Sequence, residues 1–479
     1  MWLLAMITRR DFTRLSLFGV GLGLANCTTL AKNSFVDSTT TQSDTNLTIW
    51  WEQGFLPEEN EGLAQIVRDW ENLSGLTVNL KFLPVPIIDQ QLTQLLAEPG
   101  NPQIPDIVYS IGVDANLAPK LAWQDQLLDL SEVIQPIKDR YTSVALSQVN
   151  YRNQLRGERS YYAMPLWQAE DYIHYWGNLV EAIGVSRADV PMDWEPFWRF
   201  WQTSQTQLRS QGYADIYGVG LCMSSIGFDT YTSLMMFLDA YNVEVVSPDG
   251  EFLLDAPENR QRMIAALEEF TGFFKSGYVP PAALEWTGGG NNNSFIDGSI
   301  LMTLNLTLSI PLTQQLPVNQ YNQDANERYQ QMVTIDRPRK PDGSELLTRK
   351  GIKQAIVPKS CPHPETAKDF LAYLTEPATI NQLITGAKGR VMPVMPKLFE
   401  NSLWSNTSDP HLATALKIYN RPSLIPYEVT HSAFSEVQGQ QLWAKTVLQV
   451  LQEDASATQA SDWGISQIKS IWTEWERSA

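Results

Sequence analysis

Apolar residues recur along this chain with two alternating periods. Leu47-Thr48-Ile49-Trp50-Trp51 is a short, mostly apolar run closed by Glu52-Gln53-Gly54, the pattern of a buried strand ending in a turn. After Pro57, residues Leu63, Ile66, Val67 and Trp70 fall at i, i+3, i+4 and i+7, which predicts an amphipathic helix stopping near Gly75. Val78, Leu80 and Phe82 then alternate with Thr77, Asn79 and Lys81 in a second strand. A helix through Leu92, Leu95 and Leu96 follows, and Pro105 to Tyr109 supplies a third strand. Strand and helix alternate, so the pattern predicts an α/β lobe with a largely parallel sheet.

The pattern resumes after a turn-rich stretch around Gly157. Val190 to Asp193 caps a helix whose Trp194, Phe197, Trp198 and Trp201 share one face, and Tyr217-Gly218-Val219-Gly220 begins a short strand. Pro257 opens a helix closed by Gly277, Phe295 to Met302 leads into a strand, and Pro364 opens a helix carrying Ala367, Phe370, Leu371 and Leu374. Gly386 to Pro393 reads as a loop, and Ser435 to Ala479 as two amphipathic helices.

The beginning of the chain follows other rules. Thr8-Arg9-Arg10-Asp11-Phe12 precedes an apolar run from Leu15 to Ala25 that is short for a bilayer span, the layout of a cleaved export signal. The paired arginines resemble a twin-arginine signal, and Leu24-Ala25-Asn26-Cys27 resembles a bacterial lipobox, in which Cys27 carries lipid; Asn26 departs from the usual small residue there. Residues 1–27 are thus expected to be signal, and the Ser/Thr/Asn/Asp-rich residues 28–46 a flexible tether. No later stretch approaches the length of a membrane helix, which leaves lipid as the expected membrane contact.

Composition narrows the function classes. A formal charge of −18, from 53 acidic against 35 basic residues, repels nucleic acid. Four scattered histidines and three cysteines show no metal-ligand spacing, so neither metal nor other cofactor is expected. Cys222 and Cys361 are expected as separate buried thiols, with pairing the alternative. Sixteen tryptophans in 479 residues fit either a packed core or flat walls for a sugar ring, and composition alone does not choose.

In open α/β sheets ligands bind past the carboxyl ends of strands. That rule selects Glu52 and Gln53 after the first strand, Ser110 and Asp114 after the third, and Asn305 and Thr307 after the Met302 strand. Carboxylates and amides hold paired hydroxyls, although the same residue types also cap helices. Gln168, Glu170 and Asp171 sit among Trp167, Tyr172 and Tyr175, as in a walled cleft or on a solvated surface. Glu285 to Asn293 joins three glycines and three asparagines to Trp286, without the Lys-Ser/Thr ending of a phosphate loop. Trp286 is the first choice for a stacking platform, followed by Trp51 and Tyr109.

The order of landmarks LTIWWEQG, PDIVYS, LLDLSEVI, YYAMPLWQAEDYIHYWGNL, MDWEPF, FIDGSILMTLN, PETAKDFLAYL and GRVMP resembles the extracellular solute-binding proteins of carbohydrate ABC importers, the maltose- and trehalose-binding group. The resemblance covers nearly all of residues 47–400. It implies a periplasmic-binding-protein-like fold, two α/β lobes joined by a hinge with a ligand cleft between them. Applied to this chain, 47–164 and 302–352 would form lobe one, and 165–301 and 353–479 lobe two. It also implies ligand contact by Arg390 in the late loop and strengthens Glu52. The expected protein is a monomeric, lipid-anchored, extracytoplasmic subunit that captures a sugar or polyol, a disaccharide or glycosylglycerol for instance, and delivers it to a membrane permease without chemistry. An exported glycoside hydrolase using Glu52 and Glu170 is the first alternative, and the same fold binding a peptide, polyamine or metal chelate the second.

Overall fold

The computed structural model describes residues 46–98, 100–405 and 408–477. The expected signal, Cys27 and the tether up to residue 45 lie outside them. Strands β1 (Leu47–Glu52), β2 (Val78–Leu83), β3 (Ile107–Tyr109), β4 (Asn150–Asn153), β5 (Glu158–Tyr161), β6 (Met164–Glu170), β7 (Tyr172–Trp176), β8 (Met302–Asn305), β9 (Met332–Ile335), β10 (Thr348–Ile356), β11 (Met392–Pro393) and β12 (Ser423–Leu424) alternate with helices.

The larger sheet has the order β11-β6-β10-β3-β1-β2, with β12 paired to β10. Strand β1 runs parallel to β2 and β3, as helices Pro57–Ser74 and Val85–Leu96 require when they bridge consecutive strands. Strand β10 pairs antiparallel with both β3 and β6, and β11 antiparallel with β6, so the sheet is mixed rather than largely parallel. Their partners lie far away in sequence, which local periodicity does not reveal. A second sheet, β8-β7-β9, is antiparallel throughout. Only Asp171 separates β6 from β7, so the chain leaves the first sheet for the second at that residue.

Two apolar cores correspond to two lobes. The first joins Leu47, Ile49, Leu63, Ile66 and Trp70 to late residues including Ile352, Phe370, Leu371 and Ile418. The second gathers Trp194, Phe197, Trp198 and Trp201 with Phe237, Phe270, Trp443 and Ile468, as the helical spacing predicts. Within helix Trp194–Ser210, Phe197 and Trp201 pack edge to face at 5.7 Å. Asp193 precedes that helix, but its carboxylate accepts from Arg339 Nε at 2.8 Å instead of capping it.

The cores divide the late chain differently from the expected lobes. Met302, Leu304 and Met332 belong to the second core, because β8 and β9 pair with β7. Ile352 through Tyr419 belong to the first, because β10 lies between β3 and β6. From Tyr427 the tail returns to the second core through three helices, Ala433–Gly439, Leu442–Leu451 and Ala457–Arg477, rather than two. Cys222 is in the second core and Cys361 in the first; both are free and buried. Among the described residues no helix is long and apolar enough to cross a membrane.

Candidate functional site

Parallel pairing of β1 with β3 sets Trp51 opposite Tyr109. Their side chains therefore leave the same face of the sheet, and the rings stack with centroids 4.2 Å apart and planes inclined by 26°. Trp167 from β6 joins them on the wall of a cleft of about 830 Å³ between the lobes. Glu52, the last residue of β1, accepts a hydrogen bond from the Ile111 backbone N–H. Burial pushes its carboxyl from 4.5 up to about 7, against the opposing pull of that hydrogen bond and of Lys353 and Arg390.

The cations along the cleft are engaged. Lys353 Nζ, from the middle of β10, donates to both Asp114 oxygens at 3.0 and 2.8 Å and to Ile111 O at 2.8 Å. Arg390 pairs with Glu59 and lies 5.1 Å over the Phe55 ring. Lys120, beside the first core, reaches Glu436 of helix Ala433–Gly439 at 2.8 Å and so ties the lobes together.

The second-lobe wall is built from the segment Ser225 to Asp229, Tyr231, Gly288, Asn292 and residues of helix Ala433–Gly439. Gly227 turns the chain into helix Phe228–Ala240; a Cβ there would lie 2.7 Å from Cys222 Sγ and 2.9 Å from Trp286 O. The Trp286 carbonyl also accepts from Ser224 Oγ, so the loop bearing Trp286 fixes the backbone that presents Phe228 and Asp229 to the cleft. Burial pushes Asp229 from 3.8 up to about 7, with the Asp171 charge adding to the effect.

The residues selected from sequence divide into two groups. Trp51, Glu52, Tyr109, Asn305, Thr307 and Arg390 line the cleft. Asn305 donates to Thr307 O at 2.9 Å and Ser309 Oγ at 3.0 Å, which positions the segment after β8. Gln53, Ser110, Asp114, Gln168, Glu170, Asp171 and Trp286 do not line it. Gln53 donates its backbone N–H to Leu83 O, and Asp114 serves Lys353 from behind. Ser110 is buried at the end of β3. Glu170 is 0% exposed, accepts from Gln168 and from Tyr172 Oη at 3.2 Å, and sits beside Lys350 in the β6–β10 register. Asp171 is buried 3.9 Å from Arg337. These three residues therefore brace the lobe crossing, and Glu170 is sealed from the cleft where a hydrolase would need it beside Glu52.

Trp286, the first choice for a stacking platform, is 6% exposed and packs in the second core. Its glycine-rich surroundings reflect close packing: a Cβ on Gly290 would meet Trp286 Cγ at 2.5 Å. Asn291, Asn292 and Asn293 lie in helix Gly290–Ile296, not in a loop.

Sequence reasoning placed Trp167 on a cleft wall without choosing it as a ligand contact, and missed Lys353, Asp89, Asp229 and the helix Ala433–Gly439. A signal was available for Lys353: Thr348 to Ile356 forms a fully buried strand that nonetheless carries Arg349, Lys350 and Lys353. Buried cations need partners, and that need marks a site or a joint. Asp229 has no comparable local signature.

The chain matches the model of the bacterial extracellular solute-binding proteins over residues 67–414, and it belongs to that family. Among solved structures, it is similar to an ABC transporter solute-binding protein of Thermotoga lettingae bound with alpha-D-tagatose, at 17% identity and a TM-score of 0.70, covering 89% of this chain and 99% of the other. It is also similar to a sugar transporter protein of Arthrobacter chlorophenolicus with bound laminaribiose, at 17% identity and a TM-score of 0.68, over 89% and 99% of the two chains. The maltotriose-binding protein of Thermus thermophilus, bound with maltotriose, follows at 17% identity and a TM-score of 0.64, over 88% and 99%. These likenesses establish the periplasmic-binding-protein fold of two lobes. No curated protein matches the chain by sequence.

Proposed function

We propose that this protein is the substrate-capturing subunit of an ABC importer for a sugar or sugar-like solute of the disaccharide or glycosylglycerol class. The observation that carries the reading is the stacked Trp51–Tyr109 pair on the cleft wall, with Trp167 beside it. A pyranose presents a face of C–H groups that packs on such rings, while its rim hydroxyls need carboxylate and amide partners. Glu52 and Asp229 supply those partners from opposite lobes. Ligand that bridges the two walls stabilises the closed arrangement by its differential affinity, and the closed form docks on the permease. No bond is made or broken. The sugars bound by the structurally similar proteins support this ligand class. We extend the reading to a monomer held at a bacterial membrane by lipid on Cys27, with residues 1–27 as its signal and residues 28–46 as its tether.

A thermal-shift and calorimetry panel of disaccharides, glycosylglycerols, polyols, amino acids, peptides and polyamines tests the ligand class. Ligand at 100 times its dissociation constant stabilises the native state by about 2.7 kcal/mol. A shift produced by saccharides, with no product formed, is the expected result. A shift confined to polyamines or peptides, or release of a hydrolysis product, overturns it.

A further inference from the structure

The cleft's charges are unevenly satisfied. Lys120, Lys353 and Arg390 are its lining cations, and each is in an ion pair, with Glu436, Asp114 and Glu59 respectively. Three other lining carboxylates, Glu52, Asp89 and Asp229, have no cation within ion-pair distance among the described residues. Asp89 accepts from Asn116 Nδ2 at 3.1 Å, with the buried Ser110 hydroxyl as its other neighbouring donor. Asp229 is 8% exposed, lines the second-lobe wall, and accepts no hydrogen bond from any described residue on either carboxylate oxygen. A buried acceptor left without a partner is costly, and a ligand that donates to it recovers that cost. Above about pH 7, where Glu52 and Asp229 are ionised, a ligand that brings another negative charge meets like-charge repulsion across the cleft, and the paired cations are not free to offset it.

We infer that the cleft selects against acidic ligands: it takes a saccharide whose polar groups are hydroxyls or amines and excludes sugar acids and sugar phosphates, with Asp229 as a specificity-determining residue. The inference rests on the sugar reading above and narrows its substrate class. The second-lobe wall then acts as an acceptor surface, matched to donors on the ligand rim.

Calorimetry on the full chain about one pH unit above 7, where both carboxyls are ionised, tests it with matched probes: a disaccharide that shifts the melting temperature, its amino derivative, its uronic-acid counterpart and its 6-phosphate. The neutral and amino forms should bind at least about 100-fold more tightly than the two anions, since like-charge juxtaposition costs several kcal/mol. Asp229→Asn should shrink that ratio by about tenfold, mainly through tighter binding of the anions. Equal or preferred binding of either anion by the unaltered protein overturns the inference whether or not the variant folds. An unchanged ratio in a folded Asp229→Asn overturns the role of Asp229. If no saccharide of any charge binds, the sugar reading itself fails and this inference falls with it; tight binding of an anionic sugar alone leaves the sugar reading standing.

Discussion

The two walls of the cleft are made differently. The first-lobe wall is a sheet edge: Trp51 and Glu52 end β1, Tyr109 ends β3, and Trp167 comes from β6. Backbone pairing dictates which of these side chains are neighbours, and ion pairs neutralise the cations behind them. The second-lobe wall is an assembly of helix starts, a glycine turn and a strap from the C-terminal tail. Apart from Asn305 at the end of β8, its polar atoms are held by packing rather than by a ladder. A wall built on strands offers flat, rigid rings for stacking, whereas a wall built on helix ends offers acceptors whose placement depends on distant loops.

The two buried indoles give the largest contrast. Trp286→Ala should cost about 3–5 kcal/mol of stability, the usual range for a core tryptophan, as read by chemical denaturation. A folded Trp286→Phe should retain ligand binding within a few-fold. Trp51→Ala should lose comparable stability, but its conservative counterpart Trp51→Leu should also weaken saccharide binding by about 10-fold or more. Equal binding by Trp51→Leu and the parent protein would remove the first-lobe wall from ligand contact.

Next in size is the pair behind that wall. Lys353→Met leaves Asp114 buried without its cation and should destabilise the protein by about 3–5 kcal/mol, with Asp114→Asn restoring part of the loss in the double variant. Additive losses in that cycle would show that the two side chains do not act as a unit.

A pH titration of stability sharpens the comparison from the side of Glu52. Its carboxyl ionises near 4.5 when unfolded and near 7 when folded, so the native state binds the extra proton between those values. The stability contributed by the protonated group is full below pH 4.5 and is lost as pH rises through about 7. Asp229 and Glu170 titrate in the same window, so Glu52→Gln should reduce the slope of the stability profile there by one carboxyl's share without abolishing it, measured by denaturation midpoints at fixed ionic strength. A slope unchanged by the substitution would place the titration elsewhere.

The smallest effect expected is at the joint between the walls. Lys120 and Glu436 are each 30% exposed, so Glu436→Gln should cost only about 0.2–1 kcal/mol and the difference should shrink in high salt. A loss of several kcal/mol would mark this pair as a principal fastening between the lobes.

Much of the first-lobe wall was legible because strand ends are legible. An apolar run closed by Glu52-Gln53-Gly54 and another closed by Tyr109-Ser110 locate the sheet's carboxyl edge, and three of the lining residues follow from that edge. The same rule named Gln53, which lies beyond the end of β1 and is exposed, and Ser110, which is buried beside the β3 end; neither lines the cleft. Resemblance added Arg390, which does line it. On the second-lobe wall the same reasoning chose Trp286 for its glycines, and packing consumed the ring.

Sequence alone determined the alternation of strands and helices, the Trp-rich face of helix Trp194–Ser210 and the family landmarks, because periodicity, turn residues and capping positions act over a few residues. Tertiary structure alone decided that β10 enters the first sheet, that β8 and β9 enter the second, and that Asp229, Asp89 and Glu436 reach one cleft. Those outcomes depend on pairing and packing between segments separated by tens to hundreds of residues. No local pattern encodes the partner; burial of two complementary apolar cores and satisfaction of the cations on β10 select it.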